Sequence, residues 1–103
     1  MSYNDALNQD KPIVILFKMK GCSACKAFEP KFDEMASKKN NKFNFVKEDC
    51  GFILSPITKK LNISSVPVVY ILEPKTRTAA KLKQECMWDA ECFSQTLEAY
   101  KKN

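Results

Sequence analysis

Ile13-Val-Ile-Leu-Phe17-Lys-Met-Lys-Gly21-Cys22-Ser23-Ala24-Cys25-Lys26-Ala-Phe28-Glu-Pro30 is the stretch around which the rest of the chain can be organised. It opens with five consecutive apolar residues, Ile13 to Phe17, held between Pro12 and Lys18. Their length and β-branching predict a strand buried on both faces. Gly21 opens a turn. From about Cys22 to Lys39 the period changes, with Phe28, Phe32, Met35 and Ala36 recurring at i, i+4, i+7 and i+8 as one apolar helical stripe. Pro30 lies inside that helix and predicts a kink, because its missing N–H removes one hydrogen bond. Asn40-Asn41 ends the pattern. Two cysteines, Cys22 and Cys25, therefore sit where a buried strand passes into a helix.

Working outward, residues 3–9 predict a short helix anchored by Ala6 and Leu7 and broken at Lys11-Pro12. Phe43–Lys47 reads as the next strand, Pro56 starts a short helix to about Leu61, and Val66–Leu72 reads as a third strand. Pro67 belongs at that strand's end, since it cannot donate to a ladder. Glu73–Arg77 is a turn, followed by a polar strand near Thr78–Lys83. Asp89 caps a last helix whose buried face is Phe93, Leu97 and Tyr100. Strand-helix-strand units demand parallel pairing with a right-handed crossover, and the tight turn after residue 72 demands an antiparallel hairpin. A mixed four-stranded sheet with helices on both faces meets both demands, so the expected class is α/β with residues 1–103 as a single domain.

The bulk numbers agree. A chain of 103 residues that is 45% hydrophobic can pack one core, and it is not disordered in composition. No apolar run reaches the ~20 residues of a membrane span. The polar start lacks the features of a secretory signal, which gives an intracellular, cytoplasmic expectation. The net charge of +5 is spread over scattered lysines, and Arg77 is the one arginine among 17 basic residues. That pattern points to a solvated surface rather than a nucleic-acid site. The absence of histidine removes histidine bases and histidine-containing zinc sites, leaving cysteine as the place to look for chemistry.

Two residues between cysteines at a helix start allow their sulfurs to meet in disulfide geometry. The first sulfur there lies beside unpaired backbone N–H groups and the positive end of the helix dipole, which favours its thiolate. Half a zinc site or two buried thiols is the plainer reading of an isolated pair. Against it, no second CxxC exists, and Cys50, Cys86 and Cys92 are widely spaced. Those three are expected as buried structural thiols by default, with a regulatory or intermolecular disulfide as the alternative. Trp88 is expected at a core edge or an interface.

Cys22-Ser23-Ala24-Cys25-Lys26, Pro30 five residues later and the distant Val66-Pro67 together resemble the thioredoxin family over nearly the whole chain. The resemblance implies a thioredoxin fold whose first family strand is absent here, since only 21 residues precede Cys22. It implies that Cys22 is the attacking thiolate and Cys25 the resolving thiol. Pro67 would be cis and pack against the pair, and the Val66 backbone would hold an extended substrate segment. Lys47 would lie beneath the site at a strand end. Ser23, Ala24, Lys26 and Pro30 would support the pair. The implied activity is protein dithiol–disulfide exchange and electron transport with no cofactor beyond the Cys22–Cys25 redox disulfide and no metal. The implied partners of this monomer are a disulfide-containing protein and a thioredoxin reductase or equivalent thiol reductant, with no nucleic acid and no membrane.

The sequence also departs from that family. Gly21 and Lys18 stand where it carries aromatics, and Leu16 stands where it carries a buried acid. A glycine expected around Lys83–Glu85 has no counterpart. Three alternatives follow. One is a glutaredoxin-like, glutathione-dependent enzyme, disfavoured by the absence of glycine over residues 78–90. The second is a non-catalytic binding module that docks at Val66-Pro67. The third is metal or iron–sulfur binding by Cys22 and Cys25 across a dimer.

Overall fold

β1 (Ile13–Lys18) forms the middle of the sheet, because its apolar run can be buried on both sides. The computed structural model describes residues 2–51 and 56–100; Met1, 52–55 and 101–103, which the single-domain expectation also covers, lie outside the described residues. α1 (Tyr3–Leu7) precedes β1, with Ser2 as a cap whose hydroxyl accepts the Asp5 N–H. α2 (Ser23–Lys39), β2 (Asn44–Asp49), α3 (Pro56–Lys60), β3 (Val68–Glu73) and β4 (Thr78–Lys81) follow, and then α4 (Gln84–Met87) and α5 (Ala90–Ala99). The sheet order is β2-β1-β3-β4, with β1–β2 parallel and the other two pairs antiparallel. Among the described residues no strand precedes β1.

Side-chain alternation along β1 divides the core into two layers. Val14 and Leu16 face Phe28, Phe32 and Met35 of α2, Met87 of α4, and Phe93 and Leu97 of α5. Ile13, Ile15 and Phe17 face the opposite layer, built from Ala6 of α1, Val46, Ile57 of α3, Val68 and Leu72. All five apolar β1 side chains are fully buried. Each such side chain contributes roughly 1.5–3 kcal/mol through burial, so this strand is the chief anchor of both layers.

Several boundaries differ from the sequence reading. α1 stops at Leu7, and β2 runs on to Asp49. β3 begins at Val68 rather than Val66, after a proline that has no N–H to pair. α4 was not anticipated, because four residues carry no readable period. α2 agrees with the reading, a single 17-residue helix with Pro30 inside it on the exposed side, where water can serve the freed carbonyl. Lys47 sits inside β2, opposite Leu16 of β1, and not at a strand end.

Candidate active site

The β1–α2 turn builds the site. Gly21 has φ +85°, a left-handed conformation suited to glycine, and the Cys22 N–H donates to the Met19 carbonyl at 3.2 Å. This turn delivers Cys22 to the N-cap of α2, where its carbonyl accepts the Lys26 N–H at 3.2 Å. The Cys22 Sγ accepts the Cys25 N–H at 3.1 Å, so the sulfur occupies the place of a capping oxygen. Cys22 and Cys25 are joined in a disulfide with their Cα atoms 5.2 Å apart. The two sulfurs are unequal. Cys22 is half-buried, whereas Cys25 is 1% exposed.

Ser23, Ala24 and Lys26 are exposed around the pair, and the first turn of α2 carries no acidic residue to oppose a thiolate. Lys18 does not stand free beside the cysteines: its Nζ donates to Glu29 Oε1 at 3.2 Å. Lys47 donates to Glu29 Oε2 at 3.0 Å and to Asp33 Oδ1 at 2.9 Å. Hydrogen bonds from Lys47 and then Lys18 hold the Glu29 carboxyl below its ordinary pKa. Burial pulls the Lys47 ammonium down, but its hydrogen bonds to Asp33 and Glu29 outweigh that and leave its pKa raised. Lys47 therefore clamps β2 to α2, and Leu16 beside it is fully buried among apolar side chains.

The Val66–Pro67 peptide bond is cis. Val68 pairs with Phe17, so Pro67 lies at the end of the sheet where the chain leaves β1 toward Cys22. Pro67 is buried, and its carbonyl accepts the Gln84 side-chain amide at 2.9 Å. The Val66 side chain is half-buried against the α1/α3 layer.

The sequence reading missed three residues around the site. Met19 is 44% exposed, a large apolar side chain left in water three residues before Cys22. Its only signal was an apolar residue inside a lysine-rich loop. Glu29 gave no signal, because its two lysines come from other strands. Gln84 gave none, because α4 was not foreseen.

Of the remaining cysteines, Cys50 keeps the default reading of a buried thiol, whereas Cys86 and Cys92 take the disulfide alternative. Cys86 and Cys92 are bridged to each other, Cα to Cα 5.1 Å, and are not separate thiols. Cys50 is the free thiol and is buried; burial pushes its pKa up against a hydrogen bond with Thr58, which marks an unreactive sulfur. Trp88 is half-buried at the core edge as expected, edge-on to Phe28 with ring centroids 5.1 Å apart. Among the described residues there is no group of three or more potential metal ligands, and no helix long and apolar enough to cross a membrane.

Comparison with known proteins matches the thioredoxin family model to residues 1–97. The chain is 38% identical over 64 residues to the F-type chloroplastic thioredoxin of Mesembryanthemum crystallinum, covering 62% of this chain and 33% of that one. It is 33% identical over 70 residues to thioredoxin H8 of Arabidopsis thaliana, covering 68% of this chain and 46% of that one. The matches thus span a third to less than half of these relatives' length. Among solved structures, the J-Trx1 fragment of ERdj5 superposes with a TM-score of 0.77 at 19% identity, covering 93% of this chain and 44% of that one, a likeness of fold.

Proposed function

This chain belongs to the thioredoxin family, and from that premise we propose that it is a protein dithiol–disulfide oxidoreductase working through Cys22 and Cys25. The observation that carries the reading is the Cys22 Sγ at the N-cap of α2, accepting the Cys25 N–H while bridged to the buried Cys25. A sulfur so placed is stabilised as a thiolate by a backbone donor and the helix dipole. Its burial relative to Cys25 supports the division of labour: the more exposed Cys22 meets the substrate, and the enclosed Cys25 waits for the mixed disulfide.

The cycle balances as follows. A thiol reductant, either a thioredoxin reductase or its equivalent, delivers two electrons and two protons to the bridge and leaves two thiols. The Cys22 thiolate attacks one sulfur of a protein disulfide, breaks that bond and releases the first substrate thiol. Cys25 gives up its proton to solvent and attacks Cys22 Sγ, which re-forms the bridge and releases the second substrate thiol. Leu16 offers no carboxylate for that proton, so this step depends on water reaching Cys25. In this reading Val66 and Pro67 form the edge against which an extended substrate segment docks, and exposed Met19 adds apolar contact to it. Ser23, Ala24 and Lys26 shape the rim, Lys47 holds α2 in place, and Pro30 sits within α2 beyond the pair. The domain is proposed to act as a monomer covering residues 1–103, with no cofactor, in a reducing compartment such as the cytoplasm, where Cys50 stays a thiol.

The test is turnover of a protein disulfide such as that of insulin by the wild type and Cys22→Ser, with either a thioredoxin reductase or glutathione as electron source. Turnover with the reductase that vanishes in Cys22→Ser is the expected result. Dependence on glutathione alone transfers the chain to a glutaredoxin-like role. Equal slow rates for both variants leave only a docking module. Fractionation of cells tests the compartment.

A further inference from the structure

α4 and the first turn of α5 carry a pair of sulfurs for which the cycle above has no use. Cys86 lies in α4 and is 7% exposed, and Cys92 lies in the first turn of α5 and is half-buried. Their Cα atoms are 5.1 Å apart, inside the range a bridge spans without moving the backbone. The separation of six residues closes a short loop, which constrains the unfolded chain less than a longer one would.

We propose that Cys86 and Cys92 are a second, reversible dithiol–disulfide site, opened and closed by a small-molecule thiol and its disulfide. Three features support reversibility. One sulfur is accessible and the other enclosed, the same asymmetry that Cys22 and Cys25 show. The reduced state is also provided for. The Thr96 hydroxyl donates to the Cys92 carbonyl at 2.8 Å, so its oxygen, 3.3 Å from Cys86 Sγ, is free to accept an S–H when the bridge is open. Finally, the pair is tied to the rest of the site from both sides. Gln84, two residues before Cys86, holds the Pro67 carbonyl, and Trp88, two residues after it, rests on Phe28 of α2.

The closing step balances. The Cys92 thiolate attacks one sulfur of the small disulfide, breaking that bond and releasing one small thiolate. Cys86 then loses its proton and attacks Cys92 Sγ, releasing the second small thiolate and forming the bridge. Two electrons pass from the chain to the small disulfide, and the two protons end on the released thiols or in water. Opening is the same sequence in reverse. Asp89, whose Oδ1 accepts the Glu91 and Cys92 N–H groups, and Glu91 place negative charge beside Cys92 at this helix start.

The experiment isolates this site from the first. The full chain carrying Cys22→Ser and Cys25→Ser is equilibrated in graded mixtures of reduced and oxidised glutathione, quenched in acid, and scored by thiol labelling and intact mass. Trp88 is the chain's single tryptophan, so its emission follows the same titration at the pair itself. The expected result is the joint loss of two thiols and two hydrogens in one transition, without a glutathione adduct, tracked by Trp88 emission and reversed by excess reduced glutathione. In the wild type, the tryptic peptide from Gln84 to Lys101 contains both cysteines and reports the same loss of two hydrogens without any substitution. A stable glutathione adduct on Cys92, two thiols that never pair, or a bridge that excess glutathione cannot open overturns the proposal. None of these outcomes bears on Cys22 and Cys25, whose turnover is read in a separate assay.

Discussion

Replacing Gly21 tests whether the turn, and not an aromatic side chain, is what this chain needs ahead of Cys22. Gly21 has φ +85°, and a Cβ built on it meets nothing within 4 Å. No clash and no new packing therefore enters, and the backbone decides the outcome. Holding an L residue in the left-handed region costs roughly 1–2 kcal/mol. Restricting the unfolded chain returns about 0.4–1 kcal/mol of that. The net expectation for Gly21→Ala is a loss on the order of 1 kcal/mol. With a urea dependence of about 2 kcal/mol per molar, that lowers the unfolding midpoint by ~0.5 M. Asn tolerates this conformation better than Ala, and a β-branched residue tolerates it worse. The expected order of midpoints is therefore Gly, Asn, Ala, Val. Gly21→Trp, which restores the residue type the family carries, should fall with Ala and not above the wild type. The assay is urea unfolding of the oxidised protein followed by far-UV circular dichroism, with the alkylation rate of reduced Cys22 measured in parallel. A midpoint for Gly21→Trp or Gly21→Ala at or above the wild type would refute the reasoning.

Three further outcomes are expected. Cys25→Ser should accumulate a mixed disulfide between Cys22 and a protein substrate, seen as a non-reducing gel shift; a shift in Cys22→Ser instead would reverse the two roles. Glu29 has a depressed pKa, so the stability it contributes is present above its ordinary value of 4.5 and disappears as pH falls through its folded value. Glu29→Gln should accordingly be less stable than the wild type near about pH 7 and should converge with it as the acid titration carries Glu29 through its folded value, read from urea midpoints. A gap that is constant across that range removes the ion cluster as its cause. Asp89→Ala strips two N–H groups of α5 of their acceptor and should cost about 1 kcal/mol, or ~4–8 °C in Tm, with Asp89→Ser recovering most of it.

The elements that were legible from sequence are those whose physics is local. The run Ile13–Phe17 announces a doubly buried strand, and the Phe28-Phe32-Met35 stripe announces the face α2 buries. Asp89 announces a helix start because its carboxylate has the donors of its own next turn to accept. The Cys22–Cys25 pair was legible because spacing and position coincide at the strand-to-helix turn. What escaped depends on residues distant in sequence. Glu29 becomes a hub only once β1 and β2 bring Lys18 and Lys47 to it, and Lys47 looked like a strand end because β2 outlasts its apolar pattern by two acidic residues. Cys86 and Cys92 found each other through a four-residue helix that periodicity cannot detect, and no count of five cysteines selects that pairing.

The central position of β1 also governs how a nascent chain must behave. Its parallel neighbour begins at Asn44 and its antiparallel neighbour only at Val68, so 24 residues of synthesis separate the arrival of the two flanks. At ribosomal rates of about 5–20 residues per second that interval lasts roughly one to five seconds. Throughout it, Ile13–Phe17 offers an unpaired row of N–H and C=O groups along five consecutive apolar residues, with Lys18 at the end of the strand as its one charge. Aggregation during expression should therefore track how long that flank stays open, and slow codons or a stall between residues 49 and 68 should send more of the product into inclusion bodies than a stall after residue 73.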